Sequence, residues 1–149
     1  MEATRPKTLL LAYGNPGRRD DGLGPALAAR LEALALPGVQ IESDYQLNLE
    51  DAALLRECFI VIFADAGTCG PEPFLFSEIE PLAGPLGFTS HALSPQHLLA
   101  LCRELYAYTP KAYLLEIRGY EFNEFGEGLS PQAERNLEET VSFLTEKLK

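Results

Sequence analysis

Apolar residues fall along the chain in two patterns that take turns. Thr8 to Tyr13 is a short, continuous apolar stretch, the signature of a strand buried on both faces. From Leu23 the apolar positions recur at Leu27, Leu31 and Leu34, which is the spacing of one helix face, and Pro37-Gly38 supplies a stop. Val39 to Ser43 alternates as a second strand, and Asn48 with Asp51 three residues on reads as the cap of a short helix through Leu55. Phe59 to Ala64 is the strongest strand signal. Phe74 to Ile79 alternates, and Pro71, Pro73 and Pro81 confine it to the periphery of a sheet. Ser94-Pro95 and Ser130-Pro131 each place a hydroxyl at a helix cap and a proline at the first helical position. The faces that follow are Leu98, Leu101 and Leu105 in one helix, and Leu137, Val141, Leu144 and Leu148 in the other. Ala112 to Ile117 lies between them as a last strand. With no repeat, linker or low-complexity block, the order predicts a single α/β domain over residues 1–149, a sheet of about five strands with helices on both faces.

Charge narrows the list of partners. The chain carries 12 Lys plus Arg against 22 Asp plus Glu, a formal charge of -10, which repels phosphate backbones and anionic membrane surfaces. No nucleic-acid or membrane partner is expected. The three cysteines, Cys58, Cys69 and Cys102, form no Cys-x-x-Cys pair and read as reduced thiols, two of them in apolar-periodic segments. The run from Leu9 to Tyr13 is too short for a signal-peptide core, and no stretch approaches the ~20 apolar residues that span a bilayer. A cytoplasmic monomer is expected.

Two aspartates stand where the apolar runs predict that strands end. Asp21 lies in the loop Gly14-Asn15-Pro16-Gly17-Arg18-Arg19-Asp20-Asp21-Gly22, and Asp65 ends the run from Phe59 to Ala64. In open α/β sheets, sites are built outside the carboxyl ends of strands. The glycine-rich loop matches neither the dinucleotide fingerprint nor the P-loop. Pro16 deletes a backbone donor, and two carboxylates occupy the helix start where an anion would bind, so no nucleotide cofactor is expected. The helix needs only one acidic cap, which leaves the other of Asp20 and Asp21 free to face the cleft.

Of the two histidines, His91 lies in the loop just ahead of Ser94, whereas His97 falls in the first helical turn and reads as a packing or surface residue. Two carboxylates and an imidazole make a mixed oxygen and nitrogen site suited to Zn, Ni or Fe rather than Ca or Mg. No Gly-x-Ser-x-Gly elbow occurs. Glu116, Glu121, Glu124 and Glu127 are expected to form a solvated loop, with Arg118 as its one substrate-facing member.

The ordered set of motifs resembles the NiFe hydrogenase maturation endopeptidases, which trim the C-terminal tail of the large-subunit precursor after nickel is installed. The matching stretches are Leu11-Ala12-Tyr13-Gly14-Asn15, Asp20-Asp21-Gly22-Leu23-Gly24, Ile62-Phe63-Ala64-Asp65-Ala66, Ser90-His91-Ala92-Leu93-Ser94 and Gly128-Leu129-Ser130-Pro131. The resemblance implies a three-layer α/β/α sandwich around a twisted, mostly parallel sheet. It implies Asp21, Asp65 and His91 as a triad that reads nickel supplied by the substrate, with the two aspartates as catalytic groups, and so leaves Asp20 as the expected helix cap. It also implies a hydrogenase large-subunit precursor as partner and Asn15 as a substrate contact. Where the family often has a Gly-Gly-Thr loop that helps read the substrate, this chain has Ser43-Asp44-Tyr45-Gln46-Leu47, so Tyr45 and Gln46 are further candidate contacts. Two other readings remain open. Gly14-Asn15-Pro16-Gly17 also resembles the opening motif of peptidyl-tRNA hydrolases, although Asp20-Asp21 replaces that family's histidine-asparagine pair and the charge suits tRNA poorly. A non-catalytic metal-binding or chaperone-like homologue is the third.

Overall fold

A computed structural model describes residues 7–82 and 93–148. Strand β1 (Thr8–Tyr13) leads through a 3-10 turn (Arg19–Gly22) into helix α1 (Leu23–Ala33) and then β2 (Val39–Asp44). A second 3-10 turn (Leu49–Asp51) opens α2 (Ala52–Arg56), followed by β3 (Ile60–Gly67) and β4 (Phe74–Ile79). Helix α3 (Pro95–Tyr106), β5 (Lys111–Arg118) and α4 (Pro131–Lys147) complete the order. The strands form one sheet in the order β2-β1-β3-β5-β4, parallel except for β4, which runs antiparallel along the edge.

The period of two in each strand sorts the core into halves. Leu10, Ala12, Ile62, Ala64, Leu115 and Ile117 face α1 and α4, where Leu27, Leu31, Leu137 and Leu144 meet them. Leu9, Leu11, Val61, Phe63 and Ala112 face α2 and α3, where Leu55, Leu98, Leu99 and Cys102 meet them. The result is the α/β/α sandwich, with both sheet faces covered as parallel strands require. At the edge, Phe74 and Phe76 pack on Phe143 of α4, with ring centroids 4.8 and 5.2 Å apart.

Three expected faces shift. Helix α1 ends at Ala33 and Ala35 takes a left-handed φ of 49°, so Leu34 falls past the last turn and is exposed. In α3 the buried set is Leu98, Leu99 and Cys102, and Leu105 points to solvent, because the small thiol rather than the leucine stripe is turned inward. Phe59 precedes β3 and is also exposed. Three caps stand as read. Ser94 Oγ accepts from His97 N–H at 3.1 Å, Ser130 Oγ from Ala133 N–H at 3.3 Å, and Asp51 Oδ2 from Asn48 N–H at 2.9 Å.

Helix α1 rests directly on the sheet backbone. A Cβ at Gly24 would lie 2.4 Å from the Tyr13 carbonyl oxygen and 3.0 Å from that of Ala64. Gly24→Ala should therefore lift the helix and cost about 2 kcal/mol, the usual penalty for overpacking. Thermal denaturation should show a melting temperature lower by about 6 °C; an unchanged value would mean that the helix gives way freely.

Candidate active site

The order of strands reverses at the β1/β3 pair: the chain steps from β1 to β2 on one side, then returns past β1 to β3 on the other. The crevice at such a reversal is where open α/β sheets bind ligands. Asp21 follows β1 and Asp65 lies at the carboxyl end of β3, so the two flank this crevice.

The loop after β1 doubles back on itself. Gly14 has a φ of 147°, and a Cβ there would sit 2.1 Å from the Asp21 carbonyl oxygen, so only glycine lets the two backbones meet. Asn15 N–H then donates to Asp21 Oδ2 at 2.8 Å, while Asn15 Oδ1 accepts from Gly17 N–H at 2.9 Å. Asn15 thereby orients half-buried Asp21.

Asp20 is not the helix cap. Helix α1 has Gly22 at its cap position and no side-chain cap bond, and Asp20 turns the other way, 0% exposed. Its Oδ2 accepts from Tyr120 N–H at 2.7 Å, Glu121 N–H at 2.9 Å and Ser130 Oγ at 2.7 Å, and its Oδ1 accepts from Ser130 N–H at 2.7 Å. Burial pushes its carboxyl upward, but the hydrogen bonds from Ser130, Glu121 and Tyr120 outweigh burial and hold it below the usual 3.8. The arginines beside it join the same segment. Arg19 N–H donates to Gly126 O at 2.9 Å and Gly126 N–H to Gly17 O at 2.8 Å. Arg18 Nη2 reaches Phe122 O at 3.2 Å and Arg19 Nη1 reaches Glu127 O at 3.1 Å.

Strand β3 continues three residues beyond Ala64, so Asp65 belongs to the ladder rather than to the turn after it. The reason is non-local: β5 extends to Arg118 and pairs Asp65 with Glu116, Ala66 with Ile117 and Gly67 with Arg118. Glu116 is correspondingly not a loop acid. It is half-buried in β5 and lies across Gly67, its Oε2 3.4 Å from where a Cβ would stand. By strand alternation Tyr13, Asp65 and Glu116 project from the α2/α3 side of three adjacent strands. Burial, then the charges of Asp21 and Glu116, raise the Asp65 carboxyl to about 7 against a single opposing hydrogen bond from Ala66 N–H. Burial, then Asp65 and Glu116, also raise the Tyr13 hydroxyl. Glu116 was missed by sequence reasoning. The available signal was a lone charge in the apolar run Ala112 to Ile117, at the parity of Ala112 and Leu114.

The remaining candidates are spread around this centre. Arg118 directs Nη1 to Gly70 O at 2.8 Å and Nε to Gly119 O at 3.1 Å, and its guanidinium stands 4.9 Å from the Tyr120 ring. Tyr45, 69% exposed, and Gln46 follow β2, and Tyr45 rims a shallow recess with Gly14, Pro16 and Pro25. Position 91 lies outside the described residues. Among the described residues no three His, Cys, Asp or Glu side chains are gathered as a metal site. Cys58 and Cys102 are buried, and Cys69 is exposed. Among the described residues no helix is long and apolar enough to cross a membrane.

Solved structures with this architecture include several described as hydrogenase maturation proteases. A NiFe hydrogenase maturation protease, HycI, from Thermococcus kodakarensis aligns with a TM-score of 0.73 and 21% identity over 96% of this chain and 92% of its own. The fold is that of the hydrogenase maturation proteases. A hydrogenase 2 maturation peptidase from Thaumarchaeota archaeon SCGC_AB-539-E09 gives 0.68 and 19% over 95% and 97%. The hydrogenase maturating endopeptidase HybD from E. coli gives 0.65 and 22% over 95% and 93%. No protein-family model and no curated protein matches the chain.

Two measurements probe the site. Asp20→Asn replaces an acceptor-only carboxylate facing four donors, and should cost about 3 kcal/mol of unfolding free energy at neutral pH. Because the folded carboxyl lies below 3.8, its contribution is present above that pH and lost below it, so the gap between variant and wild type should narrow as pH falls under about 4. A gap independent of pH would contradict the ionised knot. Second, the Asp65 carboxyl followed by carbon NMR in the free protein should titrate near 7, and Glu116→Gln should move its midpoint towards acid. A midpoint near 4 in both proteins would remove the coupling.

Proposed function

We propose that the protein is a peptidase that removes the C-terminal extension of a nickel-loaded hydrogenase large-subunit precursor, with Asp21, Asp65 and His91 addressing nickel that the precursor carries. The observation that supports it most is the placement of Asp21 and Asp65 on either side of the β1/β3 crevice, in a fold shared with proteins described as hydrogenase maturation proteases. Each aspartate spends one oxygen on a backbone N–H, Asp21 Oδ2 on Asn15 and Asp65 Oδ1 on Ala66 at 2.8 Å, and presents the other. His91 enters from the sequence motif Ser90-His91-Ala92-Leu93-Ser94 alone.

The chemistry assigns each group a task. A metal beside the scissile amide polarises its carbonyl, and two carboxylates with an imidazole hold such a metal without filling its coordination sphere. Asp21, fixed by Asn15, acts as the positioning ligand. Asp65 is the second ligand or, in the alternative route, the general base that takes a proton from the attacking water. In the free protein burial, then Asp21 and Glu116, raise the Asp65 carboxyl, and Tyr13 stays a neutral hydroxyl beside it.

Incubation with nickel-loaded precursor, followed by mass spectrometry, is the test. Asp21→Ala, Asp65→Ala and His91→Ala should each slow release of the tail by roughly 100-fold or more, the usual loss when a group acting on the transition state is removed. Cleavage at the wild-type rate by Asp21→Ala and His91→Ala would end this reading.

A further inference from the structure

The segment between β5 and α4 carries Phe125, whose ring is 85% exposed, the highest value among the large apolar side chains of the described residues. An exposed aromatic on a slack loop means little, but this loop is not slack. Its two ends are held by the Asp20 carboxylate at Tyr120, Glu121 and Ser130, and its middle by the backbone bonds between Gly126 and both Gly17 and Arg19. Arg18 and Arg19 bind the carbonyls of Phe122 and Glu127, and the Arg18 guanidinium stands 5.6 Å from the Phe125 ring. The ring is therefore kept out in water by a framework that fixes where it stands.

Acids outnumber bases around it: Arg18 and Arg19 direct their guanidinium groups to backbone carbonyls of the segment, and three glutamates stand free of them. Glu121, Glu124 and Glu127 are exposed on the same segment, and the ion pairs among the described residues, Arg30–Glu134 and Arg56–Glu57, involve none of them. The site is next door, since Arg18 also accepts the Asp21 N–H at 3.1 Å. An aromatic anchor within a charged rim is the usual anatomy of a protein-binding patch. We infer that residues 121–127 dock the substrate protein, with Phe125 entering an apolar pocket on the precursor that is ringed by lysine and arginine.

This inference rests on the peptidase reading, and one experiment separates the two. Biolayer interferometry measures binding of the nickel-loaded precursor, and mass spectrometry reads cleavage in parallel. Phe125→Ala should weaken binding at least tenfold with an unchanged melting temperature, as truncation of an anchoring aromatic does. The triple variant Glu121→Gln, Glu124→Gln, Glu127→Gln should lose most of the weakening that wild type shows between about 0.05 and about 0.5 M salt. Binding by both variants equal to wild type at every salt concentration overturns the docking surface and leaves the peptidase reading standing. Weakened binding by the variants of a precursor that wild type never cuts does the reverse. No binding by wild type overturns both.

Discussion

Asp20 is removed from water completely, and its two oxygens accept four hydrogen bonds from Tyr120, Glu121 and Ser130. A buried carboxylate persists only when its acceptor capacity is met, since an unpaired charge in such a place costs several kcal/mol. The donors come from positions about a hundred residues further along the chain. Meeting that requirement joins the start of the fold to its end: the turn that carries Asp21, the exit of β5 and the cap of α4 become one unit. Ser130 serves twice, donating to Asp20 while capping α4 through Ala133.

The sheet supplies the other half of the arrangement. Its reversal at β1/β3 opens a crevice, and strand alternation decides what projects into it. On the α1/α4 side the ends of the strands are Ala12, Ala64 and Ile117, which close the core. On the α2/α3 side the apolar rows of β3 and β5 give way to Asp65 and Glu116, with Tyr13 beside them on β1. One layer of the sandwich is thus sealed at the carboxyl ends of the strands and the other is polar there. Burial, with the charges of Asp21 and Glu116 added to it, moves the Asp65 carboxyl into the range where it exchanges protons at neutral pH.

Much of this was legible from local pattern. β1 and β4 begin and end where the apolar runs do, and the serine-proline pairs mark the starts of α3 and α4 because capping is a short-range effect. What failed was what depends on partners far along the chain. Asp65 looked like a strand end because the apolar run stops at Ala64, yet pairing with β5 carries the strand on to Gly67. Asp20 looked like a cap because acids favour helix starts, but donors near positions 120 and 130 outbid the helix. Glu116 looked solvated because glutamates follow it, whereas register puts it beside Asp65. Leu105 and Leu34 looked buried because helix periodicity alone does not say which face meets the sheet or where the last turn ends.

Convergence of Asp21, Asp65 and His91 on one cation is the claim from which the functional reading follows. A crystal of the protein soaked in cadmium and measured at an energy where cadmium scatters anomalously tests it directly. An ion within about 2.5 Å of carboxylate oxygens from both Asp21 and Asp65, with the His91 imidazole as third ligand, is the expected result. Cadmium bound elsewhere, with the Asp21 and Asp65 side chains turned to separate regions, would contradict it.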